Sequence, residues 1–393
     1  MAGLLSVDDA LQAVLAHAEP LPAERVPLSD AGGRVLATSA TALVDLPPFP
    51  SSAMDGFAVR AADTPGRLPV VARVAAGRPV PAALERGQAM GIATGGVVPD
   101  GADAVVPIER VTAEGDWVEI PEPAREGANV RPRGGDVSAG SAVVEAGTRL
   151  GAAQIGALAA AGISEVECAR RPHVAVLTTG TELRPPGEQL APGEIYESNG
   201  PMLEALLGSA GAEVELLRSV EDDEAAHRDS IAGALERDVL VTSGGVSVGP
   251  HDLVRKIEAE LGVEEVFWGV SVRPGKPLAF GTRGPTLVFG LPGNPVSSLV
   301  SSVLFVLPAL RALQGERDPA PRYLNGVLTG PVRPDPRRDE LVRARLAPDG
   351  GLLPLSGQES HMIVRAAEAN SLMYVPAGEH ELPAGTTVRY LTL

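Results

Sequence analysis

Thr242 to Asp252 reads TSGGVSVGPHD and follows the apolar run DVLV. A glycine-rich turn between a buried strand and a helix presents backbone N–H groups in a concave array, which is one way to hold a phosphate. Gly244 and Gly249 have the separation of a P-loop, but Pro250 and His251 stand where that loop needs Lys and Ser/Thr, and Pro250 has no N–H to give. The glycine order of a dinucleotide-binding turn is absent too. What remains is an anion nest built on Gly244, Gly245, Ser247 and Gly249, with Asp252 beside it. That carboxylate would repel a bare phosphate, so a bridging cation such as Mg2+ suits the pattern. The same residues equally make a tight turn with Asp252 as a helix N-cap.

Other polar residues follow apolar runs in the same manner. Glu182 stands in TTGTE, Asp222 in SVEDD, and GLPGNP ends a further run with Pro292, Gly293, Asn294 and Pro295. Asn294 as N-cap and Pro295 at the first helical position explain themselves, whereas the preceding LPG fixes a rigid turn at a strand end. In VRPGKP, Arg273 and Lys276 bracket a Pro-Gly turn and can supply positive charge to an anion, or make a solvated turn. Arg131, Arg133 and Asp136 in NVRPRGGDVSAG, Asp55 in SSAMDGFAV, and Thr94 in IATGGVVPDGADAVVP sit beside flexible glycines. They are compatible with surface turns or with a site.

These residues need elements that bring strand ends together. From Pro172 onward, HVAVLTTGTEL, AEVELLRSVEDD, DVLVTSGGVSVGPHD and TLVFGLPGNPV are apolar strands running into turns, separated by helical spacing such as Leu203, Leu206, Leu207 and Ala210. Alternating β and α structure predicts a mostly parallel sheet covered by helices, with ligands outside the carboxyl ends of its strands. The chain reads as multidomain α/β plus β. Residues 1–20 and 172–318 form the α/β domain, with a helix beginning at Ser6 and presenting Val7, Ala10, Leu11, Val14 and Leu15. Residues 45–136 are a β-rich insertion of proline-punctuated short strands, and residues 21–44 with 137–171 link it, including an alanine-rich helix closed at Gly162. Residues 319–393 return to short strands and form a small C-terminal β-barrel-like domain.

With 393 residues, 44% of them hydrophobic, the chain can bury the cores of about two to four domains. Fifty acidic against 33 basic residues give a formal charge of −17, which argues against nucleic-acid or anionic-membrane binding and means that an anionic ligand needs a local basic site. The apolar segment VSSLVSSVLFVLPALRAL from Val296 carries four serines and a proline, which suits a buried helix better than a membrane span. One cysteine, Cys168, excludes an internal disulfide framework, the histidines show no metal-ligand spacing, and no secretory signal opens the chain; a cytoplasmic protein fits.

Taken in order, SSAMDGFAV, ATGGVVPDGADAVVPIE, NVRPRGGD, VLTTGTEL, VTSGGVSVGPHD, RPGKPLAFG and GLPGNPVS resemble the molybdopterin molybdenumtransferase family, which includes bacterial MoeA proteins and the E domain of gephyrin. The resemblance implies an enzyme that binds adenylylated molybdopterin, inserts molybdate at the pterin dithiolene and releases AMP, assisted by Mg2+. By motif, Glu182, Asp222 and Asp252 would line the adenylate and cation region, with Glu182 and Asp252 as metal ligands and Pro292 and Pro295 shaping the pocket. Arg273, Lys276 and Arg131 would meet anionic groups, Asp55, Thr94 and Asp136 would come from the insertion, and Arg338 and Ser360 would lie near molybdate. An elongated homodimer is implied, in which one chain's insertion faces the other's α/β domain, along with a molybdopterin adenylyltransferase as supplier. Two departures stand out: Gly269 occupies a position where the family often has lysine, and Arg273 replaces a frequent lysine, keeping charge but changing geometry. The Pro172–Leu313 segment also resembles the adenylyltransferases themselves, and gephyrin relatives act as scaffolds; the extra domains weigh against the first and the lack of a long linker against the second.

Overall fold

The computed structural model describes residues 4–217, 224–244 and 253–393. The first helix, Val7–Leu15, begins where Ser6 Oγ accepts from Asp9 N at 3.1 Å and donates to Asp9 Oδ2 at 2.7 Å. Its buried face is Val7, Ala10, Leu11 and Val14, while Leu15 is half-buried. Those side chains join the largest core of the molecule, so the helix is covered by the α/β sheet although about 160 residues separate the two in sequence.

That sheet has six strands in the order Glu213–Leu217, His173–Thr178, Val239–Ser243, Thr286–Leu291, Ala279–Arg283 and Glu264–Trp268. The first four are parallel; Ala279–Arg283 runs antiparallel to both of its neighbours, so that Glu264–Trp268 at the edge again runs in the direction of the first four. Strands buried on both faces need continuous apolar runs. Val239–Ser243 and Thr286–Leu291 accordingly are buried at every residue. The chain leaves His173–Thr178 toward one side of the sheet and returns on the other through Val239–Ser243, which makes the gap between these two strand ends the topological switch point.

Among the described residues, Pro295–Leu313 is the helix long and apolar enough to cross a membrane, with mean hydropathy 1.8, yet 89% of its apolar window is buried in protein, as in a core helix. Its middle, Ser302–Val306, widens into a π turn. Pro308 lacks the N–H that would bond the Leu304 carbonyl, and a local change of winding accommodates that loss.

The insertion is a six-stranded sheet with the order Ala104–Pro107, Gly56–Val59, Ala89–Ile92, Gly66–Val74, Trp117–Ile120 and Thr112–Glu114. Phe57 and Val59 enter one apolar cluster and Ala58 another, so both faces of its strand are covered. The linking region pairs Ala23–Pro27 antiparallel with Glu165–Ala169 beside the helix Ala152–Ala160. That helix closes with Gly162 N donating to Ala159 O and Ile163 N to Leu158 O, both at 3.0 Å, the paired bonds of a Schellman stop.

At the C-terminus, Asp339–Leu346, Gly351–Pro354, Leu324–Leu328, Thr387–Thr392 and Ser371–Val375 pair in a ring that closes on its first strand, a five-stranded barrel. Val272–Arg273 lies parallel outside it, pairing with Asp339 and Glu340. The α/β domain and the barrel therefore share backbone hydrogen bonds at the VRPGKP turn.

The opposite, amino-terminal edge of the central sheet is held by Asp238. Its carboxylate takes two bonds from the Arg170 guanidinium, both 2.6 Å, and a third from His173 N at 2.8 Å. Burial pushes this carboxyl up, but the guanidinium and the N–H outweigh burial and hold it below the usual range. A carboxyl depressed by folding stabilises above its unfolded pKa of about 3.9 and loses that contribution as pH falls through the lower folded value. Asp238→Asn is expected to cost about 2 kcal/mol at neutral pH. In urea melts the gap from wild type should narrow below about pH 3.9; a gap independent of pH would remove the charge from the explanation.

Candidate functional site

Four parallel strands put their carboxyl ends on one edge, and a cleft of about 870 Å³ opens there. Thr178 to Leu183 leave the first strand, Ser243 and Gly244 the second, and Pro292 to Pro295 the third, all lining it. Gly244 has φ +95°, and a Cβ on it would come within 2.6 Å of the Thr179 carbonyl oxygen, so only glycine lets these two turns pass each other. Asn294 stands at the N-cap of Pro295–Ser301 with Pro295 next, but its side chain makes no capping bond and the residue lines the cleft.

The tie between the strand ends is Asn199, 8% exposed. Its Nδ2 donates to Ser243 Oγ and to Gly293 O, both at 2.8 Å. The carbonyl acceptor fixes which end of the amide is nitrogen, and Oδ1 is left buried without a partner among the described residues. Among the described residues, Glu182 and Glu197 are the carboxylates lining the cleft, and that described lining includes no lysine or arginine. Glu197 Oε1 accepts from Gly200 N at 2.8 Å, which leaves its other oxygen for other partners.

The fourth side comes from the barrel. Arg343, 1% exposed, donates from Nη2 to Gly357 O at 2.6 Å and Glu359 O at 3.3 Å, and from Nη1 to Met362 O at 3.4 Å. Gln358 bonds both Arg343 N and Arg343 O at 3.0 Å. Residues 357–362 are thus wound around a buried cation. The Ser360 carbonyl accepts from Val296 N at 3.1 Å, and His361 and Ile363 reach the cleft.

Of the residues expected from sequence, the fold gathers Glu182, Gly244, Pro292, Gly293, Asn294 and Pro295 in one cleft. Ser360 touches its rim through backbone alone. Arg273 and Arg338 meet elsewhere, on shared carboxylates: Arg273 Nη1 lies 3.1 Å from Glu340 and 3.8 Å from Asp335, and Arg338 Nη2 lies 3.5 Å from Asp335. Lys276 is exposed on the same turn as Arg273. Asp55 accepts from Thr94 N at 2.7 Å and Thr94 Oγ1 at 3.0 Å, which holds its carboxyl below the usual range, but the pair lies in the insertion and does not line the cleft. Arg131 and Asp136 are exposed, and Arg133 is paired with Asp45 at 2.5 Å. Asp222, Gly245, Ser247, Gly249 and Asp252 lie outside the described residues. Gly269 has φ +89°, and a Cβ there would meet Leu4 Cδ2 at 2.6 Å; the absent lysine has a backbone reason.

Sequence reasoning passed over Asn199, Glu197, His227, His361 and Arg343. Asn199 had a signal, since it follows Ser198 at the start of the Leu203/Leu207 helix, where a cap is expected. Glu197, His227 and Arg343 are placed by tertiary contacts, and His361 lies in the stretch ESHMIVRAAEANSLMYVP, whose likeness to the family is weaker.

A parallel sheet whose strand ends open into a polar cleft, closed on one side by a second domain, defines a small-molecule site of the α/β type. Known families match this chain in three consecutive blocks: the MoeA N-terminal region (domain I and II) over residues 5–162, a probable molybdopterin binding domain over 175–312, and the MoeA C-terminal region (domain IV) over 325–393. Molybdopterin molybdenumtransferase 2 of Mycobacterium tuberculosis is 38% identical over 380 residues, 93% of each chain. The Haemophilus influenzae molybdopterin molybdenumtransferase is 33% identical over 98% of each. The crystal structure of a molybdopterin biosynthesis moeA protein from Pyrococcus horikoshii OT3 aligns over 100% of both chains with TM-score 0.88 and 28% identity. The chain belongs to the molybdopterin molybdenumtransferase (MoeA) family.

Removing the strand-end tie tests its weight. Asn199→Ala leaves the Gly293 carbonyl without its donor and is expected to lose about 1–3 kcal/mol in chemical denaturation. Asn199→Asp should lose more, because a carboxylate would face that carbonyl. Three proteins of equal stability would show that the amide does not hold the strand ends.

Proposed function

We propose that this chain is a molybdopterin molybdenumtransferase that takes adenylylated molybdopterin, inserts molybdate at the pterin dithiolene and releases AMP, the last step in making the molybdenum cofactor. The observation that carries this reading is the cleft at the switch point. It has the volume of a small-ligand site, glycine turns that let a phosphate approach the backbone, and two carboxylates with no lysine or arginine in its described lining.

AMP release is a hydrolysis: a water oxygen bonds to the adenylate phosphorus, and the P–O bond to the molybdopterin phosphate oxygen breaks. That oxygen leaves with the molybdopterin phosphate, and the water's proton passes to the phosphate products or solvent. Positioning and charge neutralisation dominate such a step, and no covalent nucleophile from the protein is required. Gly244 and Gly293 admit the phosphates to the strand ends, Asn199 keeps those ends at fixed spacing, and the 357–362 loop shields one side from water.

Mg2+ fits the donor chemistry. Glu182 and Glu197 offer carboxylate oxygens, and Mg2+ takes one or two carboxylates together with substrate phosphates rather than a full protein cage. Glu182 would hold the ion in company with Asp252, and the ion would supply neutralisation of phosphate charge.

A homodimer completes the reading. Asp55, Thr94 and Asp136 do not line the cleft of their own chain, so they would serve the cleft of a partner across a two-fold axis. Arg273, Lys276, Arg338 and Arg131 are the cations available for molybdate or the pterin phosphate. The reaction places the protein in the cytoplasm, supplied by a molybdopterin adenylyltransferase.

With adenylylated molybdopterin and Mg2+, AMP should appear only when molybdate is added, and Glu182→Ala should slow its release at least about a hundred-fold. Release that ignores molybdate, or none at all, would sink the transferase reading. Mixing inactive Asp55→Ala and Glu182→Ala chains tests the shared site. After random exchange about half the dimers are mixed and each carries one intact site, so roughly a quarter of wild-type activity should return. Differently tagged chains confirm exchange; complete exchange without recovery would place both residues in the service of one chain.

A further inference from the structure

The cleft contains a buried group that neither the fold nor the proposed reaction uses. His227 is 6% exposed and lines the cleft from the first turn of the helix Glu224–Ala234. Its Nδ1 is fully buried and has no hydrogen-bond partner among the described residues. An apolar side chain would fill the same space without stranding a polar atom. A proton on Nδ1 would bury an orphan donor, so the neutral ring carries its proton on Nε2, on the opposite edge of the imidazole.

Leu253 and Val254, which open the neighbouring helix Leu253–Glu260, line the same cleft. Two helix starts therefore border the volume that His227 borders, and helix starts favour anions. Two of the carboxylates on these helices are paired. Glu224 is paired with Lys256 at 2.9 Å, and Glu260 is paired with Arg228.

We infer that His227 is a substrate-binding residue whose Nε2–H donates to a phosphoryl oxygen of the nucleotide half of the ligand. This rests on the nucleotide reading of the cleft and adds a named contact to it. Nδ1 stays stranded on the inner edge of the ring with or without ligand. The contact with the phosphate, made by Nε2 on the opposite edge, gives a reason for a histidine where an apolar side chain would pack without that cost.

The test is calorimetric titration with AMP and, separately, with adenosine, on wild type, His227→Leu and His227→Gln. His227→Leu should bind AMP roughly ten-fold or more weakly, since a hydrogen bond to a charged oxygen is lost, while adenosine affinity stays the same. His227→Gln keeps a neutral donor and should recover part of the AMP affinity. His227→Leu should melt at or above the wild-type temperature, because it removes a stranded buried atom. Undiminished AMP binding by His227→Leu overturns the inference, and so does an equal loss for AMP and adenosine, which would mean that the ring only packs. Should His227→Leu fail to fold, the imidazole resonance missing from His227→Gln must shift in wild type with AMP and not with adenosine; no shift overturns the contact. Wild-type protein that binds no AMP removes the nucleotide reading itself, a different result from wild type and His227→Leu binding AMP alike.

Discussion

Parallel strands end with their carbonyls and following turns on one edge, and every functional feature of the α/β domain follows from holding that edge together. Backbone pairing stops at Thr178, Ser243 and Leu291, where the chains must diverge into separate turns. Beyond that line the amide of Asn199 takes over, bonding Ser243 Oγ and the Gly293 carbonyl at 2.8 Å each. A buried side-chain amide can do this because its two N–H groups diverge, so one residue reaches two strand ends. The close passage of Gly244 beside Thr179 is possible only in that arrangement and only without a Cβ.

The barrel is attached to the same edge by two different devices. Backbone pairing of Val272–Arg273 with Asp339 and Glu340 sets its register against the α/β domain, and the Arg273, Asp335, Glu340 and Arg338 charges surround that junction. The buried Arg343 does the finer work. A guanidinium has five donors and no acceptor, so a loop that turns its carbonyls inward can be wound around it. The loop it organises carries the Ser360 carbonyl to Val296 N, at the start of the long buried helix, and His361 to the cleft. Two domains thus meet at one helix start by hydrogen bonds, beside an apolar contact in which Leu341, Ala366, Leu372 and Leu391 join the core of the α/β domain.

How legible this was depends on range. The parallel strands were readable because burial on both faces demands unbroken apolar runs, and the turns after them because glycine, proline and asparagine have local reasons to be there. Glu182 and the Pro292–Pro295 turn were found that way. The first helix was legible from Ser6, Asp9 and its apolar spacing, although its place in the central core was not, since nothing local encodes a contact across 160 residues. Arg343 looked like one more arginine in a strand, and its burial follows only from barrel closure. His227 had no motif at all. Asp55 and Thr94 were legible as a pair of polar residues beside glycines, and the structure joins them by two hydrogen bonds, but their distance from the cleft comes from the domain arrangement.

Charge is where composition and site converge. A chain of formal charge −17 that handles anions must either concentrate its cations or recruit others. The described lining of the cleft takes neither lysine nor arginine, and two arginines expected there, Arg273 and Arg338, are spent partly on Asp335 and Glu340. On the proposed reading, phosphate attraction in this cleft would be shared by backbone N–H groups, helix starts and a cation. All three act over short distances and reward a ligand whose phosphates reach the strand ends, whereas a ring of exposed lysines would attract any polyanion. With a net charge of −17, a phosphate site of the proposed kind would depend on dipoles at the strand ends, whose reach is short. Such a site would require the fixed strand-end spacing that the Asn199 amide provides.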